Sequence, residues 1–170
     1  MNLSKELFQS YFNNNITQEE LYRNIGIGDI DFSQYLLDEM LRIYEKKDGE
    51  MLEYVIFTLF LGENIIPLKE YVDILNRLIL CEWHNQHENI VLLLQKINSQ
   101  ESLDYLYKAI FLKPEYLAWD DNYAFESKCV RAISSLKNQE AFDKLKLLAM
   151  DENETIRSLA KRQMDKFKLN

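Results

Sequence analysis

Apolar residues recur at helical spacing along nearly the whole chain. From Trp83 onward, three sets of residues share the relative positions 0, 3, 4 and 7. These sets are Ile90, Leu93, Leu94 and Ile97; Cys129, Ala132, Ile133 and Leu136; and Ala160, Gln163, Met164 and Phe167. Residues at these offsets lie on one side of an α-helix, whereas no stretch alternates with a period of two for long enough to indicate a strand. The pattern therefore predicts an all-α protein.

The first half of the chain adds signals for the ends of helices. Thr17 and Glu20 have the spacing of a capping box, in which each side chain bonds the other residue's backbone N–H. A helix is predicted over about 33–47, and Gly49 is suited to the left-handed residue that ends it. The strongly apolar segment 51–61, followed by glycine, indicates a helix with neighbours on nearly every side.

Two of the three repeated sets are followed by a second apolar helix, so that the helices come in pairs. The partner positions are Ser102, Leu103, Leu106 and Ala109, then Ala141, Phe142, Leu145 and Leu148. The extra residues between the first two sets fall in one segment, 113–122, which indicates an insertion. We therefore expect a short right-handed α-solenoid of antiparallel helix pairs with about eight to ten helices. The expected organisation is one domain over 1–170, with repeats over 83–170 and a helical part without a clear repeat signature over 1–82.

The order of residues in the second half resembles HEAT repeats. The matching residues are Asn138-Gln139-Glu140-Ala141, Leu145, Leu148, Asp151, Asn153, Ile156-Arg157 and Ala160. In the preceding repeat Glu126 stands where that pattern has arginine, and Ser134 and Lys137 replace common glycines. The resemblance covers about residues 84–168, and it implies a scaffold that binds other proteins.

A narrower resemblance concerns the segments around the tryptophans. Residues 83–88 (Trp-His-Asn-Gln-His-Glu), 119–124 (Trp-Asp-Asp-Asn-Tyr-Ala) and the pair Lys128-Cys129 are similar to a group of small bacterial HEAT-like proteins. Members of that group are often assigned as immunity proteins of polymorphic toxin systems. The resemblance implies a protein that binds and blocks a toxin made by its own cell, without a cofactor or a small-molecule substrate.

Charge narrows the range of partners. The formal net charge is −8, which disfavours nucleic acid and anionic membrane surfaces as partners. Residues 1–80 hold 14 acidic and 7 basic side chains, so the excess of negative charge lies in this half and favours a basic protein partner, such as a basic toxin domain. The first residues carry no apolar signal-peptide core, so we expect a cytoplasmic protein.

The candidate chemistry centres on the two histidines. His84 and His87 lie three residues apart, on one helix face, and with Glu88 and Asp120 they could form a metal site. A metal-dependent enzyme on a HEAT-like scaffold is therefore the alternative function, although His-x-x-His-Glu matches neither order found in zinc peptidases. In the structural alternative, Asp120 or Asp121 accepts hydrogen bonds from the imidazoles and ties the insertion to the helices.

Two further predictions concern thiols and surfaces. Cys81 and Cys129 lie in apolar helical stretches and are expected to be small buried residues.

In a solenoid the second helix of each pair, here about 84–97, 122–136 and 153–167, lines the concave side, and the 113–123 loop borders it. The predicted partner-binding residues are Tyr116, Trp119, Asp120, Asp121, Tyr123, Glu126, His84, His87 and Glu88.

Overall fold

The computed structural model describes residues 3–118 and 123–166, and every regular element in them is helical. The α-helices in these residues are α1 (Lys5–Phe12), α2 (Gln18–Ile25), α3 (Phe32–Lys46), α4 (Gly49–Leu61), α5 (Val72–Leu78), α6 (His87–Ile97), α7 (Leu103–Ala109), α8 (Ala124–Ser135), α9 (Gln139–Leu148) and α10 (Glu154–Met164). Three short 3-10 segments, Leu68–Tyr71, Gln100–Ser102 and Glu115–Leu117, complete them. The prediction of an all-α fold with about ten helices is confirmed.

The chain forms two compact units, Met1–Tyr71 and Val72–Asn170, called below the N-terminal and the C-terminal unit. The boundary falls at the start of α5. The sequence division at 82/83 marks something different, namely the point at which the repeated apolar spacing begins. The C-terminal unit therefore contains all three repeated sets and also α5, which precedes them.

In the N-terminal unit, α1 packs against α2 and α4, and α3 packs against α4. Phe8 is fully buried, and its ring stacks on Tyr54 with the centroids 4.7 Å apart. The predicted capping box is present: Thr17 accepts a hydrogen bond from the Glu20 N–H, and Glu20 accepts one from the Thr17 N–H. This local pattern fixes the start of α2 at the predicted residue.

The end of α3 corrects one prediction. Lys47, and not Gly49, adopts the left-handed conformation (φ 55°, ψ 42°), and Gly49 is instead the first residue of α4. The reason is Asp48, whose carboxylate accepts a hydrogen bond from the Met51 N–H at 3.0 Å and so caps α4. Gly62 ends α4 as predicted, and a Cβ there would overlap the buried side chain of Ile66.

In the C-terminal unit, α6 packs on α8 and α8 on α10. Helix α5 packs against α6 and α7, α7 against α8, and α9 against α8 and α10. The sets at 90–97 and 129–136 are buried at all four positions. In the third set Ala160 is buried and Gln163 and Met164 are half-buried, while Phe167 lies outside the described residues. Helix α8 is therefore the central element of this unit.

A buried polar pair near the start of α7 leads to a first prediction. The hydroxyl of Ser102, which is fully buried, and the side-chain oxygen of Asn76 have no hydrogen-bond partner among the described residues. Removing an unsatisfied buried hydroxyl costs little, so Ser102→Ala should change the free energy of unfolding by less than about 0.5 kcal/mol. Chemical denaturation measures this change.

The comparison variant is Thr58→Val, which removes a buried hydroxyl that donates to the Tyr54 carbonyl at 2.8 Å. That substitution should cost about 1 kcal/mol. A loss of 1 kcal/mol or more for Ser102→Ala would show that its hydroxyl is bonded in solution.

Candidate functional site

His84 and His87 lie inside the C-terminal unit, between the end of α5 and the start of α6. His84 is 3% exposed and His87 is fully buried, and their ring centroids lie 4.4 Å apart. The ring of Phe125, at the start of α8, stands almost perpendicular to that of His87 at 5.7 Å. The two imidazoles are thus part of the core rather than of the surface.

The hydrogen bonds of His84 define its tautomer. Its Nδ1 accepts a hydrogen bond from the Gln86 backbone N–H at 3.1 Å, so the ring proton is on Nε2. Nε2 donates that proton to the Leu78 carbonyl at 2.9 Å. Burial lowers the pKa of His84 from 6.5 to about 4, so the ring is neutral near pH 7.

Both ring nitrogens of His87 also have hydrogen-bond partners. Its Nε2 lies 2.7 Å from the Cys81 carbonyl, which can only accept, so Nε2 carries the proton and Nδ1 accepts from the Tyr116 hydroxyl at 3.2 Å. Burial also lowers the pKa of His87, and it raises the pKa of Tyr116 to about 12. The tyrosine thereby ties the start of the insertion to α6.

This geometry disfavours the metal site that belongs to the alternative function. All four ring nitrogens of His84 and His87 have partners that are backbone groups or a phenol, so none offers a free lone pair to a metal. Within residues 3–118 and 123–166, no three histidine, cysteine, aspartate or glutamate side chains are grouped so as to hold a metal ion. Asp120 and Asp121, the predicted partners of the imidazoles, lie outside the described residues.

Glu88, in the first turn of α6, forms an ion pair with Lys128 of α8. Both side chains are partly exposed, 32% and 24%, so the pair lies at the surface where the two helices meet. A partly exposed pair contributes up to about 1 kcal/mol. Glu88 therefore links α6 to α8 and also remains accessible to a partner.

Glu126 is an interior residue, contrary to its predicted position at the surface. It is 7% exposed, and Lys113 Nζ lies 2.9 Å from its carboxylate. The same ammonium lies 5.2 Å from the ring centroid of Tyr123, whose hydroxyl accepts a hydrogen bond from Asn153 at 2.9 Å. These contacts fasten both ends of the insertion to α8 and α10.

The cysteines differ from each other. Cys129 is fully buried, and this burial raises the pKa of its thiol well above the ordinary value, so the thiol does not ionise near pH 7. Cys81 is only half-buried, which corrects the expectation for it, and its thiol donates to the Arg77 carbonyl at 3.4 Å. It lies beyond the last turn of α5, where fewer neighbours cover the chain.

The predicted site residues thus fall into three groups. His84, His87 and Glu126 are buried and form internal bonds, whereas Tyr116, Tyr123 and Glu88 are half-buried and reach the surface. Trp119, Asp120 and Asp121 lie outside the described residues. The interior position of Glu126 had a signal in the sequence, because residues 126, 130 and 133 share one face of a helix.

Sequence reasoning missed three exposed apolar side chains, one on α9 and two just beyond the ends of α7 and α9. Leu147 is 51% exposed, Phe111 47% and Met150 71%. The sequence could have indicated their exposure, because they fall outside the sets of buried positions. Leu147, for example, lies between the buried Leu145 and the buried Leu148. Exposed apolar residues grouped on one side of a unit are typical of a binding surface.

A shallow groove of about 290 Å³ lies at the carboxyl ends of α6, α8 and α10. It is lined by, among others, Gln95, Arg131, Ser134, Ser135, Lys137 and Lys166, and none of the described residues that line it carries a carboxylate. Cations are favoured at helix C-termini by the helix dipole. The positive charge of this groove therefore has a local explanation and does not by itself indicate an anionic ligand.

The described part of the chain is all-helical. Comparison of the chain with protein-family models, with curated proteins and with solved structures finds no match. Among the helices of residues 3–118 and 123–166, none combines the length and the apolar character needed to cross a membrane.

Proposed function

We propose that the chain is a non-enzymatic protein-binding module whose C-terminal unit is a HEAT-like right-handed solenoid of helix pairs. In its more specific version, the protein is a cytoplasmic immunity protein that binds and neutralises a toxin made by its own cell. The narrower resemblance of the segments at 83–88 and 119–124 supports this version. It needs neither a cofactor nor a small-molecule substrate.

The observation that carries the proposal is the layer formed by α6, α8 and α10. The first two of these helices bury the repeated four-position set completely, so their opposite side is left for contact with another molecule. We call this side the α6–α8–α10 wall; its accessible residues on α6 and α8 are Glu88, Leu92, Gln95, Ser127, Lys128, Arg131 and Ser134. Leu92, 38% exposed, is the apolar residue among them.

The edge of this wall supplies residues suited to an interface. Tyr116 and Tyr123 are half-buried, and each is held by a hydrogen bond of its hydroxyl. A tyrosine fixed in this way loses little conformational entropy when a partner covers its ring. Among the described members of the predicted site, these two side chains and Glu88 are therefore the ones that a partner could contact directly.

The internal bonds of the reactive side chains also favour binding over catalysis. The imidazoles of His84 and His87 are neutral and fully bonded, and the Cys129 thiol is buried and protonated near pH 7. A general base or nucleophile must reach a substrate, and none of these groups is exposed to one.

Charge favours a basic partner. The N-terminal unit holds 13 acidic and 6 basic side chains over residues 1–71, a net charge of −7, while residues 72–170 hold 15 and 14. An acidic surface of this kind accelerates the encounter with a basic protein, and salt weakens the effect.

The test of the proposal starts from the gene that neighbours the one encoding this chain, which we expect to encode a toxin domain. Cells that produce that domain should survive only when the chain is also produced, and calorimetry on the purified pair should show a 1:1 complex. The variant Leu92→Lys should weaken that complex by at least about tenfold, because it places a positive charge in the centre of the wall, opposite a basic partner. The matched control is Ile65→Lys, since Ile65 is 56% exposed in the N-terminal unit, and it should change the affinity less than about twofold.

A separate measurement tests the alternative function, a metal-dependent enzyme. Elemental analysis of the purified chain should show less iron and zinc than one ion per molecule. Stoichiometric metal that is lost together with an activity in a His87→Ala variant would contradict the proposal, and so would survival of toxin-producing cells that lack the chain.

A further inference from the structure

A groove separates α7 from α9 on the side of the C-terminal unit that carries the first helices of the pairs. Its volume is about 500 Å³, within the range of roughly 300–1,000 Å³ found for binding sites. We call it the α7–α9 groove; its main lining residues are Glu101, Asp104, Glu140, Asp143, Lys144 and Leu147. None of them belongs to the α6–α8–α10 wall.

The groove is acidic. Asp104 forms an ion pair with Lys144 at 2.8 Å, and the hydrogen bond from this ammonium lowers the pKa of the Asp104 carboxyl. Glu101 and Glu140 form no ion pair with any residue that the structure describes. Asp143 pairs with a lysine outside the groove, so four carboxylates and one ammonium line it.

One end of the groove continues into apolar side chains. Lys144 Nζ lies 4.5 Å from the ring centroid of Tyr107, and that ring packs edge-on against Phe111 at 5.4 Å. Leu147 lies one turn beyond Lys144 on α9, and Met150 follows at the end of that helix. Phe111, Leu147 and Met150 are each about half exposed or more, so this end presents an apolar surface beside the carboxylates.

We propose that the α7–α9 groove binds a basic amphipathic helix of a partner protein. The lysine or arginine side chains of that helix pair with Glu101, Glu140 and Asp143, and its apolar side chains cover Leu147 and Phe111. Such a helix brings positive charge to the carboxylates of the groove and an apolar face to its exposed apolar end, in the manner of helices bound in hydrophobic grooves. The proposal holds whether or not the chain is an immunity protein.

Charge also argues against a second copy of the chain as the occupant. In a symmetric dimer the same surface meets itself, so the two α7–α9 grooves would bring their carboxylates together. The repulsion between like charges at such a contact disfavours it. A partner of opposite charge removes the repulsion and gains the ion pairs.

The test is a titration of the full chain with a synthetic helical peptide of about 14 residues that carries lysines and leucines on one face. Nuclear magnetic resonance should show shifts concentrated at residues 100–111 and 139–150, and calorimetry should give a Kd of roughly 10–100 µM, modest for a short peptide. A peptide of the same length with glutamate in place of lysine should not bind. Dispersed shifts, or equal binding of the two peptides, would overturn the proposal.

Matched variants separate the groove from the general acidity of the chain. The double variant Glu101→Gln/Glu140→Gln should weaken the binding of the lysine peptide roughly fivefold or more. The control Glu19→Gln/Glu45→Gln removes the same charge from exposed positions that do not line the groove and should have less than about a twofold effect, since salt screens exposed charges that form no direct contact. Equal losses in the two double variants would overturn the proposal.

The apolar end is tested in the same way. Leu147→Gln should weaken the binding roughly fivefold, whereas Leu92→Gln, on the α6–α8–α10 wall, should not. Circular dichroism first confirms that each variant is folded. The proposal would be overturned if Leu92→Gln had the larger effect. It would also be overturned if sedimentation showed that Leu147→Gln turns a dimer into a monomer.

Discussion

Truncating Phe125 to alanine should lower the free energy of unfolding by about 3–5 kcal/mol, as measured by chemical denaturation followed by circular dichroism. Phe125 is 1% exposed and lies at the start of α8, the helix that packs against α6, α7, α9 and α10. Its ring also closes one side of the His87 imidazole. The substitution removes a large apolar side chain and leaves a cavity that the surrounding helices can fill only in part.

The matched control for this prediction is Phe111→Ala. Phe111 belongs to the same unit but is 47% exposed, so its loss should cost less than about 1 kcal/mol. Equal costs for the two substitutions, or a cost below 1 kcal/mol for Phe125→Ala, would mean that α8 is not the central element of the C-terminal unit.

The helices could be predicted from the sequence because their signals are local. The spacing of Ile90, Leu93, Leu94 and Ile97 is enough to place one side of α6 in the core, whatever the rest of the chain does. The capping box at Thr17 and Glu20 is also complete within four residues. Such signals are present in any single sequence.

The end of α3 shows where local signals compete. Gly49 satisfies the requirement for a left-handed residue, but Asp48 satisfies the requirement for a helix cap one residue earlier. The cap of the following helix decided the outcome and moved the left-handed conformation to Lys47. The sequence alone does not show which preference is stronger, that of Gly49 for the left-handed conformation or that of Asp48 for the helix cap.

The partners of the histidines could not be predicted for a different reason. His84 and His87 donate to the carbonyls of Leu78 and Cys81, which lie at and beyond the last residue of α5. Carbonyls at the end of a helix lack helical partners and are available as acceptors. Every residue carries a carbonyl, so the sequence draws attention to carboxylates such as Asp120 and Asp121 instead.

Exposed surface patches are harder to predict from the sequence than buried helix faces. Leu147 and Phe111 are apolar, and only the packing of α7 and α9 shows that they remain exposed. The α6–α8–α10 wall stays a prediction from the sequence, because it is the side opposite to the buried sets that the sequence does define. The α7–α9 groove depends on how two helices from different pairs pack. The spacing of apolar residues within one helix does not show this.

The burial of the histidines makes stability depend on pH. The pKa of His84 is about 4 in the folded chain and near its ordinary value of 6.5 when the chain is unfolded. Between these values the unfolded chain binds the proton more readily than the folded chain does, so acid favours unfolding. The stabilisation is fully present above pH 6.5 and is lost as the pH falls toward 4. His87, with its pKa lowered for the same reason, adds to the effect in the same direction.

Lowering the pH from 7 to 5 should therefore reduce the free energy of unfolding by about 2 kcal/mol through His84 alone, and by more when His87 is included. Carboxylates titrate near pH 4, and these are the only two histidines in the chain, so this interval isolates the imidazoles. Denaturation curves at a series of pH values measure the change. In the variant His84→Gln the protein should be less stable at pH 7 but should lose about 2 kcal/mol less between pH 7 and 5. A wild-type stability that is flat over this interval would show that the pKa values of the two imidazoles are not lowered in the folded chain, and the buried arrangement of both rings would then be wrong.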